Sequence, residues 1–200
     1  MKDKTIIVGI SGASGSIYAI RLIKALVQAQ TRVMAIVSDA GKEVMAHEMG
    51  FDPIMPFSDW LIEYGIPLDA HSKLEVFSQS QMASEPASGS FVHAGMVVCP
   101  CSMKTLSAIA HGFADNLLTR SADVSLKEKR PLILVPRETP YNLIHLENMK
   151  KAHQAGAVIL SPNPSFYSFP KTIEQLVDTV VARILDHLNV THDLMPRWGA

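Results

Sequence analysis

Five short apolar runs, each separated from the next by helical spacing, constrain this chain more than any other feature. They are TIIVGI (5–10), RVMAIV (32–37), GMVVC (95–99), PLILVP (131–136) and AVIL (157–160). Both faces of each run are apolar, the pattern of parallel strands covered by helices on two sides. After the first run, Ile17, Ile20, Ile23, Leu26 and Val27 form a stripe that marks a core-facing helix. Residues 41–49, 103–111, 117–128, 143–155 and 172–188 read as further helices. This β-α repeat specifies a doubly wound α/β fold with right-handed crossovers. Such sheets bind ligands at the carboxyl ends of their strands. The chemistry should therefore sit on one rim.

Two hundred residues, 48% hydrophobic and 18% charged, fit one domain, expected over residues 1–200, with a generous core. Residues 51–92 break the rhythm: they are proline-rich and weakly periodic, and a connection this long is functional or partly helical. The first apolar run is far too short for a secretory signal, and no stretch nears the roughly 18 apolar residues of a membrane span. A net charge of −1 argues against non-specific nucleic-acid binding. Cys99 and Cys101, one residue apart, cannot form a disulfide framework. Cytoplasmic placement is the expectation. The tail carries Arg197 and Trp198, which either dock on a neighbouring subunit or pack on their own domain.

Two strand-to-helix turns carry the chemistry. In GISGASGS (9–16), Gly9, Gly12 and Gly15 let the chain pass close to an anion, and Ser11 and Ser14 add hydroxyls. The following helix start offers backbone N–H groups and a positive dipole end. A dinucleotide fingerprint fits imperfectly, because position 11 is serine; Asp39 would be its ribose-binding acid. In CPCSMKT (99–105), Pro100 is expected to stop the strand, with Ser102, Lys104 and Thr105 as donors at the helix start. Cys99 reads as core and Cys101 as lining the turn. Their spacing does not suit zinc, and no HExxH occurs, so no metal is expected.

Three further segments carry candidates. Arg137 and Glu138 follow five apolar residues, where the ligand rim should be. Arg120 and Lys127 lie seven residues apart, two turns along one helix face, which is either solvated or functional. PNPSFYSFPK (162–171) presents Phe166, Tyr167 and Phe169, either as a capped strand end or as an aromatic wall. Among the eight histidines, His145 in IHLENM is the one kept in view.

Taken together, GISGASG, PASGSF, PCSMKTLSAIAHG, RSADVSLKEKRPLILVPRETP, IHLENM, GAVILSPNPSFY and MPRW resemble the UbiX-type flavin prenyltransferases, in order, from residue 4 to residue 199. The segment 52–82 adds little to the likeness. The resemblance implies a flavodoxin-like Rossmann three-layer sandwich with a mainly parallel sheet. It implies binding of reduced FMN and dimethylallyl phosphate, without metal. The five-carbon unit is joined to N5 and C6 of the flavin, phosphate leaves, and a UbiD-type decarboxylase receives the prenylated FMN. Relatives assemble as dodecamers with sites at subunit contacts, so a homododecamer is implied.

Position by position, the likeness puts FMN on Gly12, Ala13, Ser14, Ser38, Ser102, Met103, Lys104, Thr105 and Arg137. The allylic phosphate falls to Lys127, Tyr167 and Arg183. Ser88 to Ser90 and Arg120 come near the reacting centre, and Glu48 and Glu138 match the acid/base candidates. Ionising an allylic monophosphate needs a stabilised leaving group, and the chain has no DDxxD motif to hold Mg²⁺. Lysine and arginine would take that role. A peptidyl-cysteine decarboxylase would carry a PASANT-type motif, and here the loop reads PASGSF. Non-catalytic FMN carriage, or a subunit role in a phenolic acid decarboxylase complex, is the other alternative.

Overall fold

The computed structural model describes residues 4–68 and 73–196. Its elements run β1 (Thr5–Ile10), α1 (Ser16–Gln28), β2 (Arg32–Val37), α2 (Asp39–Met49), α3 (Phe57–Glu63) and β3 (Leu74–Ser78). After them come β4 (Gly95–Cys101), α4 (Met103–Ala110), α5 (Leu117–Lys127), β5 (Leu132–Pro136), α6 (Leu143–Gln154), β6 (Val158–Ile159) and α7 (Ile173–His187). The strands form one sheet in the order β3-β2-β1-β4-β5-β6, with every neighbouring pair parallel.

Alternation along each strand divides the core in two. Ile6, Val8 and Ile10 of β1 face one side with Val33, Ala35 and Val37 of β2, and there α1, α2, α3 and α7 pack. Ile7, Met34 and Ile36 face the other, covered by α4, α5 and α6. Ile7 is fully buried, and burying a side chain of that size is worth about 1.5–3 kcal/mol. The chain builds outward from β1 to β2 and β3, then returns to β4 on the other side of β1. The loops after β1 and β4 therefore diverge to opposite faces, and a crevice opens between them, as ligand sites do at such reversals.

Residues 51–92 are the main departure from the sequence reading. They hold α3, the edge strand β3 and a short 3-10 turn at Glu85–Ala87. β3 escapes detection because LEVFS is half exposed and carries Glu75, so no apolar run announces it. α3 is anchored by Phe57 and Trp60, whose rings pack against Phe51. Pro100 also behaves otherwise than expected. β4 continues through it to Cys101, with a register irregularity after Val98. Arg197 and Trp198 lie outside the described residues. No described helix is long and apolar enough to cross a membrane.

Candidate functional site

The first turn is tied to the second through one serine. Ser11 Oγ donates to the carbonyl of Pro100 at 2.9 Å and accepts the Ser102 N–H at 2.8 Å. The Ser11 N–H reaches the same Pro100 carbonyl at 3.2 Å. The glycines of this turn have reasons inside the chain. A Cβ on Gly12 would come within 2.5 Å of Ala40 Cβ, and one on Gly9 within 3.1 Å of Leu118. Gly15 takes φ = 105°, a left-handed conformation that favours glycine.

The anion at the start of α1 is the chain's own. Glu48, near the end of α2, accepts the N–H of Gly15 at 3.0 Å and of Ser16 at 2.9 Å. Partial burial works to raise its pKa, but the Ser14 hydroxyl and the two N–H groups outweigh it and hold the carboxyl below the ordinary range. The expectation of an open anion nest at this helix start is thus corrected. The Gly15 and Ser16 N–H groups are satisfied from within, across 33 and 32 residues of sequence.

The second turn keeps its donors. Ser102 caps α4 by accepting the Thr105 N–H at 3.2 Å and donating to Thr105 Oγ1 at 3.1 Å. The N–H groups of Met103 and Lys104, in the first turn, have no intrahelical acceptor. Ser38 caps α2 in the same way, accepting from Gly41 at 3.0 Å, and its own N–H holds the Ile10 carbonyl at 3.0 Å. The Arg137 N–H binds the Cys101 carbonyl at 3.1 Å. Gly12, Ala13, Ser14, Ser38, Ser102, Met103, Lys104, Thr105 and Arg137 therefore share the carboxyl-end rim of four adjacent strands, β2, β1, β4 and β5. Hydroxyls, free N–H groups and a guanidinium suit a phosphate and the polar edge of a flavin. Asp39, weighed as a ribose acid, instead accepts from Gln79 at 2.7 Å.

Cys101 does not line the turn. Both cysteines are completely buried. Burial pushes the Cys101 thiol up to about 12 and raises that of Cys99 further, with Cys101 adding to the effect. Neither is a nucleophile at neutral pH. Among the described residues, no three His, Cys, Asp or Glu side chains gather as a metal site.

A second group assembles around the loop that follows the 3-10 turn. Arg120 Nε donates to the Ala87 carbonyl at 3.2 Å, and its Nη1 pairs with Asp123 at 2.9 Å. Ser88 and Ser90 share a hydrogen bond at 2.8 Å. Lys127 ends α5 beside Glu128, and a Cβ on Gly89 would lie 2.6 Å from the Lys127 ammonium nitrogen. Arg120, Lys127, Ser88 and Ser90 are thus brought together.

Tyr167 and Arg183 are elsewhere. Arg183 lies exposed on α7 and pairs with Asp186 at 2.9 Å. Tyr167 is 80% exposed, in the loop between β6 and α7, flanked by exposed Phe166 and Phe169. That loop docks on α7 where Thr179 accepts the Ser165 N–H at 2.9 Å. Because α5 and α7 cover opposite faces of the sheet, one chain does not bring Lys127 and Arg183 into one pocket. Glu138 is exposed at the β5 end and accepts the Thr139 N–H at 2.9 Å. His145 serves α6 locally, its N–H capped by Asn142 at 2.9 Å.

Two residues near these groups went unnoticed in the sequence. Tyr18, half buried on α1, stands beside the first turn, its ring 3.1 Å from where a Gly15 Cβ would lie, and burial raises its pKa, with Cys99 adding to the effect and Arg137 opposing it. Arg130 donates to two carbonyls of the 88–91 loop. Its signal was hidden in the charged run KEKR, which reads as a solvated helix end.

A family model described as Flavoprotein matches residues 1–185. The flavin prenyltransferase UbiX of Pseudomonas aeruginosa is 48% identical over 197 residues, covering 97% of this chain and 93% of that protein. Among solved structures, AnUbiX (PadA1) in complex with FMN and dimethylallyl pyrophosphate is 37% identical with a TM-score of 0.88, covering 100% of this chain and 99% of that one. A dodecameric FMN-dependent UbiX-like decarboxylase from Escherichia coli O157:H7 is 36% identical, with a TM-score of 0.85, covering 98% of this chain and 100% of that one.

Proposed function

This chain belongs to the flavoproteins and, within them, to the UbiX flavin prenyltransferases, and from that premise we infer what it does. It is an enzyme that joins the dimethylallyl group of dimethylallyl phosphate to N5 and C6 of reduced FMN and releases phosphate. The reduced flavin supplies the two nucleophilic positions. The observation that carries the reading is the shared rim, where Ser14, Ser38, Ser102, Thr105 and Arg137 converge at the β1/β4 reversal. We assign the flavin to that rim, with Gly12 and Ala13 lining the turn and Met103 and Lys104 donating backbone N–H groups.

The chain's own cations deal with the leaving phosphate. Lys127 supplies a point charge, Arg183 a two-pronged donor and Tyr167 a hydroxyl. At about 1.5–3 kcal/mol per charged hydrogen bond, three such contacts supply roughly 5–9 kcal/mol. They speed ionisation only as far as they tighten while phosphate departs. Since Lys127 and Arg183 flank opposite faces of one sheet, we propose that the pocket closes between copies of the chain. The dodecameric relative supports that assembly. Arg120, Ser88 and Ser90 border the reacting centre from the α5 side. Glu138 is the proposed base for the ring proton, since Glu48 is committed to the start of α1 and held in its weakly basic form.

We further propose a cytoplasmic site of action and a UbiD-type decarboxylase as consumer of the prenylated flavin. The test is anaerobic incubation of the protein with reduced FMN and dimethylallyl phosphate or the diphosphate, followed by mass spectrometry of the flavin. A gain of one C5H8 unit, faster with the monophosphate, is the expected outcome. Unaltered flavin bound to folded protein means a carrier.

A further inference from the structure

The loop carrying Ser88 and Ser90 is built from small residues, PASGS, which by themselves hold no particular conformation. What positions it is its main chain. The carbonyls of residues 87, 89 and 91 are all taken by arginines. Arg120 holds Ala87 at 3.2 Å, while Arg130 spans the other two, Nη2 to Gly89 at 2.7 Å and Nη1 to Phe91 at 2.6 Å. Arg130 is itself fixed. Its N–H binds the Ser125 carbonyl at 2.8 Å, and Lys129 before it turns through φ = 55°. Arg32 secures the near and far ends, pairing with Glu85 at 2.9 Å and lying 5.6 Å from the Phe91 ring centroid. The loop passes beside the end of α5, where a Cβ at Gly89 would meet the tips of the Lys127 and Glu128 side chains.

We infer that Arg130 is a positioning residue for prenyl transfer. Its fork on the Gly89 and Phe91 carbonyls sets where Ser90 stands and how Lys127 meets the allylic phosphate, without touching the flavin. A planar guanidinium can span two carbonyls in one rigid geometry, whereas a lysine at this position offers a flexible point charge. The inference rests on the reading above that Lys127 and the 88–90 loop face the allylic phosphate.

Arg130→Met and Arg130→Lys, made in the full-length assembled protein, test it through three measurements: FMN binding, amide hydrogen exchange across 85–92, and transfer kinetics at saturating reduced FMN. For Arg130→Met the expected result is an FMN Kd within twofold of the parent and exchange at 88–91 at least tenfold faster. Its KM for dimethylallyl phosphate should rise at least tenfold. Arg130→Lys should fall between the parent and Arg130→Met in both exchange and KM. Unchanged exchange and KM in Arg130→Met overturn the inference, as does FMN binding lost in step with transfer. Uniformly faster exchange along the whole chain in both variants overturns it too, since that marks a general fold support. If the parent protein adds no C5 unit to flavin, the prenyltransferase reading fails by itself, and the exchange measurement still judges the loop restraint.

Discussion

Glu48 Oε2 lies 2.9 Å from the backbone nitrogen of Ser16, so the far end of α2 caps the near end of α1. The same carboxylate takes the Gly15 N–H. A negative charge at a helix N-terminus is favoured by the aligned peptide dipoles. Partial burial opposes the charge, but the hydrogen bonds win and leave the folded pKa below the unfolded one. The stabilisation is then complete above the ordinary carboxylate range and disappears as pH falls through the folded pKa. Glu48→Gln should cost about 0.5–1 kcal/mol at pH 7, the low figure reflecting solvent screening of a carboxylate that is only partly buried. Urea unfolding at pH 7 and in acid checks this; the gap between parent and variant should narrow as pH falls below the ordinary carboxylate range.

A second pH dependence comes from the opposite end of the sheet. His93, just before β4, is 5% exposed, and its ring meets only the Gly95 backbone, without a hydrogen bond of full geometry. Burial, with the Arg130 charge adding to it, lowers its pKa from the ordinary 6.5 to about 4. The folded state therefore excludes a proton that the unfolded chain accepts. Stability should drop by up to about 3 kcal/mol as pH falls from about 6.5 to about 4. In His93→Leu that part of the slope should vanish. Thermal unfolding midpoints at half-unit pH steps measure it, and an identical slope in the variant would sink the assignment.

Tyr167→Phe removes one hydroxyl from an exposed loop. If that hydroxyl serves the leaving phosphate, FMN affinity stays within twofold while transfer slows roughly 10- to 100-fold, the equivalent of one hydrogen bond to a charged group. Fluorescence titration with FMN and single-turnover product formation separate the two. Equal loss of both would move Tyr167 to the flavin.

Assembly is open to test from the α6 side. Leu143, Ile144 and Leu146 of α6 are exposed at 71%, 69% and 50%, and Phe113, between α4 and α5, at 66%; several large exposed apolar side chains on one helix mark an interaction surface. Ile144→Asp should give a smaller species in sedimentation velocity with an unchanged far-ultraviolet spectrum. Prenyl transfer should be lost with assembly, because Lys127 and Arg183 then have no shared pocket. Full activity in a monomeric variant would refute the pocket between copies.

Much of this protein is legible along the chain, because side-chain periodicity is a local property. Two-sided apolar strands such as TIIVGI and RVMAIV, with helical stripes between them, determine the β-α repeat and hence a ligand rim at the strand ends. Ser102 announces the start of the helix after β4, and it caps that helix. β3 stayed hidden because an edge strand needs no continuous apolar run; its register against β2 is a contact between distant segments.

Only the tertiary structure decided that Glu48 occupies the start of α1, that Arg130 restrains the 88–91 loop, and that Lys127 and Arg183 stand on opposite faces. Spacing along a chain says which face of its own element a side chain occupies. It does not say which other element comes to meet it, because that is set by how the whole sheet closes its core.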